Sequence, residues 1–393
     1  MSDDIFKKRG YGGDFRAVKK LEKAEELIDN YNFKSIRSYF GEMNFRDDLD
    51  MMDVVVTDIE PFSENVKRYR LEPQNYELPL FEAGQSLCVY MRINGGRFLK
   101  PLAVCSSPNH RYYSVIVFRD DFVSDRMLDD WVVGSEVTIT RPRGNFTYHP
   151  LRDEKKVLGF VDGIGISHFI SMAETIIEGE ENFELFVVYV ADYYKDIIFS
   201  SYLNWLEKNS NGKVKFCYLL GEESRVGCRH GNVTSSLIKS LLAPPYSVFA
   251  SGSNELIDRL NLHLAKLGIS DSDIHMRRPF VYATPEDLSG KPYAKLKPFT
   301  ITVKSADITY PPIEIEKGDT LMVAMEKAGL NVPGKCMNGG CGVCRSRLLE
   351  GKVELMAGED WKPVEEKYSV IHPCVCYPLT DVTIEIPIKR DEI

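Results

Sequence analysis

The sequence predicts three domains in series: a small antiparallel β-barrel, a doubly wound α/β domain and a small α+β domain. Three observations predict this order. Short β-branched stretches broken by turns run over residues 51–150, the texture of a small barrel. Strand-like and helix-like stretches then alternate over 151–283, which implies a parallel sheet covered on both faces. Last, four of the nine cysteines (Cys336, Cys341, Cys344 and Cys374) fall in residues 298–393, behind a Pro-, Gly- and Lys-rich connector at 284–297. A chain of 393 residues has room for such a series, since domains run to ~100–200 residues each.

Composition excludes several classes of function. Apolar residues make up 44% and charged residues 27% of the chain, as in a globular protein with a packed core. The net charge of −9 argues against nucleic acid, whose phosphates require clustered Lys and Arg. The N-terminus carries no apolar run behind its charges, so no secretory signal is read there. No stretch approaches the ~20 apolar residues of a membrane span. The remaining cysteines are Cys88, Cys105, Cys217, Cys228 and Cys376. They are scattered and odd in number, which suits a reducing cytoplasm rather than a disulfide framework.

Residues 1–50 stand apart. Val18, Leu21, Ala24, Leu27 and Ile28 recur at helical spacing among Lys and Glu, predicting an amphipathic helix over 15–31 that docks on this chain or on a partner. The barrel strands are read at Val54–Ile59, Val66–Leu71, after the Gly84-Gln85 turn, at Arg111–Arg119 and at Glu136–Thr140. A short helix is expected after the fourth, with Ser124 as its N-cap. In the second domain, strands at Lys156–Val161, Phe183–Val190, Val214–Leu220 and Tyr246–Ser251 alternate with helices. Ligands of such sheets bind at the carboxyl ends of the strands. In the third, Phe299–Val303 and Ile313–Ile315 form a hairpin-like pair, and a helix at 320–328 leads into the cysteine loop.

Cys336, Cys341 and Cys344 have the C-x4-C-x2-C spacing of a [2Fe–2S] ligand set, with Cys374 as the distant fourth. Gly339, Gly340 and Gly342 lie between them. A loop wrapped around a cluster needs backbone without side chains and N–H groups turned toward sulfur. Zinc is the competing reading, but structural zinc sites favour two close cysteine pairs.

With these motifs the chain resembles the flavin-dependent reductases that join a ferredoxin reductase-like core to a C-terminal plant-type ferredoxin. Phthalate dioxygenase reductase and the reductase subunits of bacterial oxygenases form that class. The ferredoxin resemblance adds Leu348–Val353 and Cys374-Val-Cys-Tyr-Pro378. It implies a β-grasp-like fold and selects Cys374 over Cys376 as the fourth ligand. Lys100-Pro-Leu102-Ala103 resembles the class's Arg-x-Tyr-Ser flavin motif, with the charge kept but the bidentate fork, the aromatic ring and the hydroxyl replaced. Asp121-Phe-Val-Ser124 resembles Gly-x-Val-Ser, which places helix-opening N–H groups where flavin phosphates bind. The resemblance implies flavin contacts at Gly84, Gln85, Lys100, Leu102, Ala103, Val117, Val123 and Ser124. It implies nicotinamide contacts at Gly163, Gly165, Asp192, Ser251 and Gly252, with Asp162 and His168 standing where the class has small residues and proline. A carboxylate at Asp192 suits the free 2′-hydroxyl of NAD.

These parts imply an electron-transfer oxidoreductase. NADH delivers two electrons as hydride, a [2Fe–2S] cluster accepts one at a time, and a flavin, FAD or FMN with FAD the more common in this layout, joins the two. The electron acceptor is then a partner redox protein such as an oxygenase, with Met337, Arg345 and Arg347 as candidate contacts. The alternative is an electron-transfer subunit that has lost direct NAD(P)H oxidation and takes electrons from a partner. No general acid or base is required, so no catalytic side chain is nominated.

Overall fold

The computed structural model describes residues 51–93, 96–179, 181–278, 298–305, 308–316, 318–330, 332–334, 337, 339, 342–355 and 363–386. The helix expected over 15–31, the connector at 284–297, and Cys336, Cys341 and Gly340 lie outside the described residues.

The first sheet is built from β1 (Met51–Ser63), β2 (Val66–Pro73), β3 (Ser86–Ile93), β4 (Gly96–Ala103), β5 (Tyr113–Phe118) and β6 (Glu136–Thr140). Their order is β4-β3-β6-β1-β2-β5, and all pairings are antiparallel. A bridge between Val104 and Val115 joins the two edges and closes the barrel. Alternate residues point inward: Val54, Val56, Tyr69, Leu71, Leu87, Val89, Val115, Val117 and Ile139 are all buried, as a period of two requires. β4 carries Pro101, a residue that marks a break in sequence. As an edge strand of the sheet it tolerates a residue with no N–H. Helix α1 (Phe122–Asp130) follows β5 and packs Val123, Met127 and Leu128 into the same core.

The second sheet contains β7 (Lys156–Val161), β8 (Glu184–Ala191), β9 (Val214–Leu220), β10 (Arg229–His230), β11 (Ser247–Ser251) and β12 (Ile274–Arg277). The order β10-β9-β8-β7-β11-β12 is parallel throughout. The order reverses direction between β7 and β11, so their carboxyl ends form the crevice typical of doubly wound sheets. Helices α2 (Ile166–Ile177) and α3 (Ser200–Asn209) cover one face, and α4 (Ser235–Leu241) and α5 (Asn254–Leu267) cover the other.

The third sheet orders β14 (Ile308–Thr309), β13 (Phe299–Ser305), β20 (Val382–Glu385), β16 (Ser346–Glu350) and β18 (Val370–Ile371), with β15 (Ile313–Ile315) on β13. β17 (Val353–Leu355) pairs with β19 (Cys376–Pro378). Helix α6 (Leu321–Lys327) buries Leu321, Met322, Val323, Ala324 and Met325, and a short α7 (Pro363–Lys367) precedes β18. The expected barrel, doubly wound sheet and small α+β domain are all present.

The first and third domains share one apolar core. Phe98 and Leu99 of β4 belong to the same cluster as Val323, Met325 and Val332. Any side chain at Gly96 would press on Val323 Cγ1. A polar clamp seals this seam: Arg97 Nε donates to Glu326 Oε1 (2.7 Å), its backbone N–H to Oε2 (2.7 Å), and its Nη2 to the Val332 carbonyl (2.8 Å).

Candidate functional site

Cys344 stands two residues ahead of β16, and Cys374 two residues ahead of β19. Both are buried, and their Sγ atoms lie 3.3 Å apart. Gly339 and Gly342 hold φ at +76° and +73°, backbone that a side chain would strain. The Cys344 thiol is pulled below its ordinary value by its hydrogen bond with Cys374, against burial and with help from His372. Burial pushes Cys376 up to about 12, and its residue neighbours are the core. A close pair of buried thiols, one of them primed to ionise, is a donor set for a soft metal. These residues fit the cysteine ligation of an iron–sulfur cluster.

His372 was missed by sequence reasoning. Its Nδ1 lies 3.9 Å from Cys344 Sγ, and its Nε2 lies 3.0 Å from Glu365 Oε1, which also accepts from Arg345 Nη2 at 3.0 Å. The only sequence signal was its position two residues before Cys374. Of the candidate acceptor contacts, Arg347 is exposed and Arg345 half-buried, whereas Met337 is buried in the core. Its φ is +55°.

In the barrel, Lys100 is 2% exposed. Its Nζ donates to Asp120 Oδ1 (2.6 Å) and Asp121 Oδ2 (2.8 Å). The N-cap of α1 is Asp121, not Ser124: Asp121 Oδ1 accepts from the N–H groups of Val123 (3.1 Å) and Ser124 (2.9 Å). Ser124 Oγ accepts in return from the Asp121 N–H at 3.0 Å, completing a capping box. An Asp three residues before a Ser reads as a cap as readily as the Ser does, and here the backbone is extended at Asp121 (φ −157°), with Ser124 already the third residue of the helix. Leu102, Val117 and Val123 are buried in the barrel core. Ala103 and Gln85 are half-buried. Gln85 accepts from the Glu82 N–H at 3.1 Å, and Gly84 packs directly on the Phe146 carbonyl. The helix-opening N–H groups and the lysine charge are thus already engaged by a carboxylate. A flavin phosphate placed there has to displace Asp121, so these residues do not offer a ready phosphate site.

At the carboxyl edge of the second sheet, Gly163 has φ +47° and open space beside it, while Gly165 abuts the Ser251 carbonyl so closely that only glycine fits. Asp162 is turned onto the opening of α5: its Oδ1 accepts from the Ser253 N–H (2.7 Å) and its Oδ2 from the Ser253 hydroxyl (2.5 Å). Its carboxylate fills the space above Gly252. Ser251 Oγ meets His168 Nδ1 at 3.1 Å, and His168 Nε2 meets Ser86 Oγ of β3 at 3.3 Å. His168 therefore ties the barrel to the second sheet, with the Phe146 ring 4.9 Å away. Burial pushes its imidazole down to about 3, and the Arg277 charge adds to the shift. Asp192, just past β8, is exposed. The edge thus gathers Gly163, Gly165, Ser251 and Gly252, with Asp192 at the neighbouring strand end.

Residues 311–379 match the family of 2Fe-2S iron-sulfur cluster binding domains. The C-terminal domain is a ferredoxin-type iron–sulfur domain. Over 327 residues the chain is 26% identical to the glycine betaine monooxygenase reductase subunit of Chromohalobacter salexigens, covering 78% of this chain and 87% of that one. It is 24% identical over 299 residues to the phthalate dioxygenase reductase of Burkholderia cepacia, covering 72% and 81%. Among solved structures, a phthalate dioxygenase reductase described as modular, for electron transfer from pyridine nucleotides to [2Fe–2S], superposes with a TM-score of 0.66 at 21% identity. That match covers 86% of this chain and 98% of the other, so the iron–sulfur domain sits in the same three-domain fold. Among the described residues, no helix is long and apolar enough to cross a membrane.

Proposed function

We propose that this chain is an NADH-dependent flavin and iron–sulfur reductase that delivers electrons to a separate redox protein of the oxygenase type. The observation that carries this reading is the order of parts. A barrel, a doubly wound sheet and a thiol pair follow in one chain, the order implied by the resemblance to oxygenase reductase subunits. The relatives' roles as reductases favour it over a subunit that receives its electrons from another protein.

Cys344 and Cys374, with Cys336 and Cys341, hold the cluster. The exposed Asp192 receives the ribose hydroxyls of NADH, and its charge disfavours a 2′-phosphate. Gly163 and Gly165 admit the dinucleotide to the start of α2. Gly84, Gln85 and Ala103 lie at the flavin half, FAD or FMN, with Leu102, Val117 and Val123 as the core beneath it and Lys100 and Ser124 beside it. The flavin supplies the exchange between a two-electron donor and a one-electron acceptor. Arg347 and Arg345 face the partner. The scattered positions of Cys88, Cys105, Cys217, Cys228 and Cys376 support a reducing, cytoplasmic setting.

An anaerobic titration of the full chain, purified with its iron and supplied with flavin, tests the reading. NADH should bleach the flavin band and then the cluster band. A cluster that stays oxidised under excess NADH in the presence of flavin sinks the proposal.

A further inference from the structure

We propose that Asp121 is a built-in substitute for the flavin phosphate, so that a flavin's phosphate gains nothing at the start of α1. The inference rests on the reading of the barrel as the flavin domain. An anion site at the start of a helix needs N–H groups aimed at one point and a cation to complete the charge. Both are present here, and both are taken. The Asp121 carboxylate spans them: Oδ1 accepts from Val123 N–H and Ser124 N–H, and Oδ2 accepts from Lys100 Nζ at 2.8 Å. Its side chain is fully buried. The geometry is that of a bound oxyanion, supplied by the chain.

The charges reinforce the geometry. Lys100 carries one positive charge, while Asp120 at 2.6 Å and Asp121 at 2.8 Å carry two negative ones. A phosphate arriving here meets net negative charge instead of a free cation, and must expel a carboxylate that already has the same hydrogen bonds. The phosphate or pyrophosphate of FMN or FAD therefore adds no affinity at this helix. Riboflavin, FMN and FAD thus bind alike.

Fluorescence titrations of the full chain with riboflavin, FMN and FAD test this, for the wild type, Asp121→Gly and Asp121→Asn. Glycine and asparagine both serve as N-caps, so α1 is retained, and circular dichroism checks the fold. The wild type should bind the three flavins with affinities within a few-fold of one another. Asp121→Gly should tighten FMN and FAD by about tenfold or more while leaving riboflavin unchanged, a gain on the scale of a charged hydrogen bond. Adding Lys100→Met to Asp121→Gly should cancel that gain. A wild type that holds FMN or FAD about tenfold more tightly than riboflavin overturns the proposal and leaves the flavin reading intact. So does an Asp121→Gly variant with no gain for phosphate-bearing flavins. Failure of every variant to bind any flavin overturns both.

Discussion

At the scale of single residues, buried contacts in the iron–sulfur domain and in the barrel carry the predictions. Cys374 Sγ, not Cys376, meets Cys344 at 3.3 Å. Cys374→Ser should abolish the visible absorbance of the cluster, whereas Cys376→Ser, altering a buried thiol pushed up to about 12, should keep it. His372 offers the Cys344 sulfur a neighbour at 3.9 Å. A metal-bound thiolate has no proton to give, so a hydrogen bond between these atoms carries the imidazole's proton and lowers the electron density on sulfur. His372→Ala should therefore move the cluster's midpoint potential to more negative values in spectroelectrochemistry, and an unchanged potential would show that the contact is only packing. In the barrel, Lys100→Met leaves two carboxylates, one fully buried, without their cation. Stripping one partner from such a group costs about 3–5 kcal/mol, readable as a lower urea midpoint.

At the scale of elements, α2 is held by what its first turn touches. His168 bridges Ser86 of β3 and Ser251 of β11 as a neutral ring. Its folded pKa, about 3, lies below the unfolded value, which is near 6.5. Between those values the unfolded chain binds the proton more readily, so stability falls as pH drops. The contribution is complete above about pH 6.5 and is lost by up to about 1.4 kcal/mol per unit below it. Melting temperatures should decline from pH 7 to pH 5, and His168→Gln should flatten that slope. The groups facing the ring are Ser86, Ser251, Phe146 and the Arg277 charge. Elements such as β7, β8 and β11 were legible because continuous apolar runs are the mark of a strand buried on both faces. The cysteine loop was legible because ligand spacing is local. β4 was not, since Pro101 reads as a break until its edge position is known. Nor was the bridge made by His168, whose partners lie 82 and 83 residues away. The engagement of Lys100 escaped for a related reason: charge alone does not say which anion holds it.

At the scale of the whole molecule, the seam between barrel and iron–sulfur domain is a core rather than a surface contact. Arg97 contributes three hydrogen bonds to it, two of them to Glu326, whose side chain is 6% exposed. Arg97→Ala should leave that carboxylate without its guanidinium. Hydrogen exchange of the α6 amides should then quicken by about tenfold or more, on the scale measured for breaking buried charge pairs. Exchange within β7–β9, which lie in the other sheet, should be unaffected.

Gly96 adds a consequence for how such chains are cut and joined. Its missing side chain lets β4 lie against Val323, so the apolar wall of α6 is shared property. Residues 298–393 expressed alone would present that wall to water and stick to one another. Fused to another barrel, they would need a strand with the same bare position and the same arginine beside it. The iron–sulfur domain looks like an interchangeable cartridge in the order of parts, but it is inherited together with the strand it leans on.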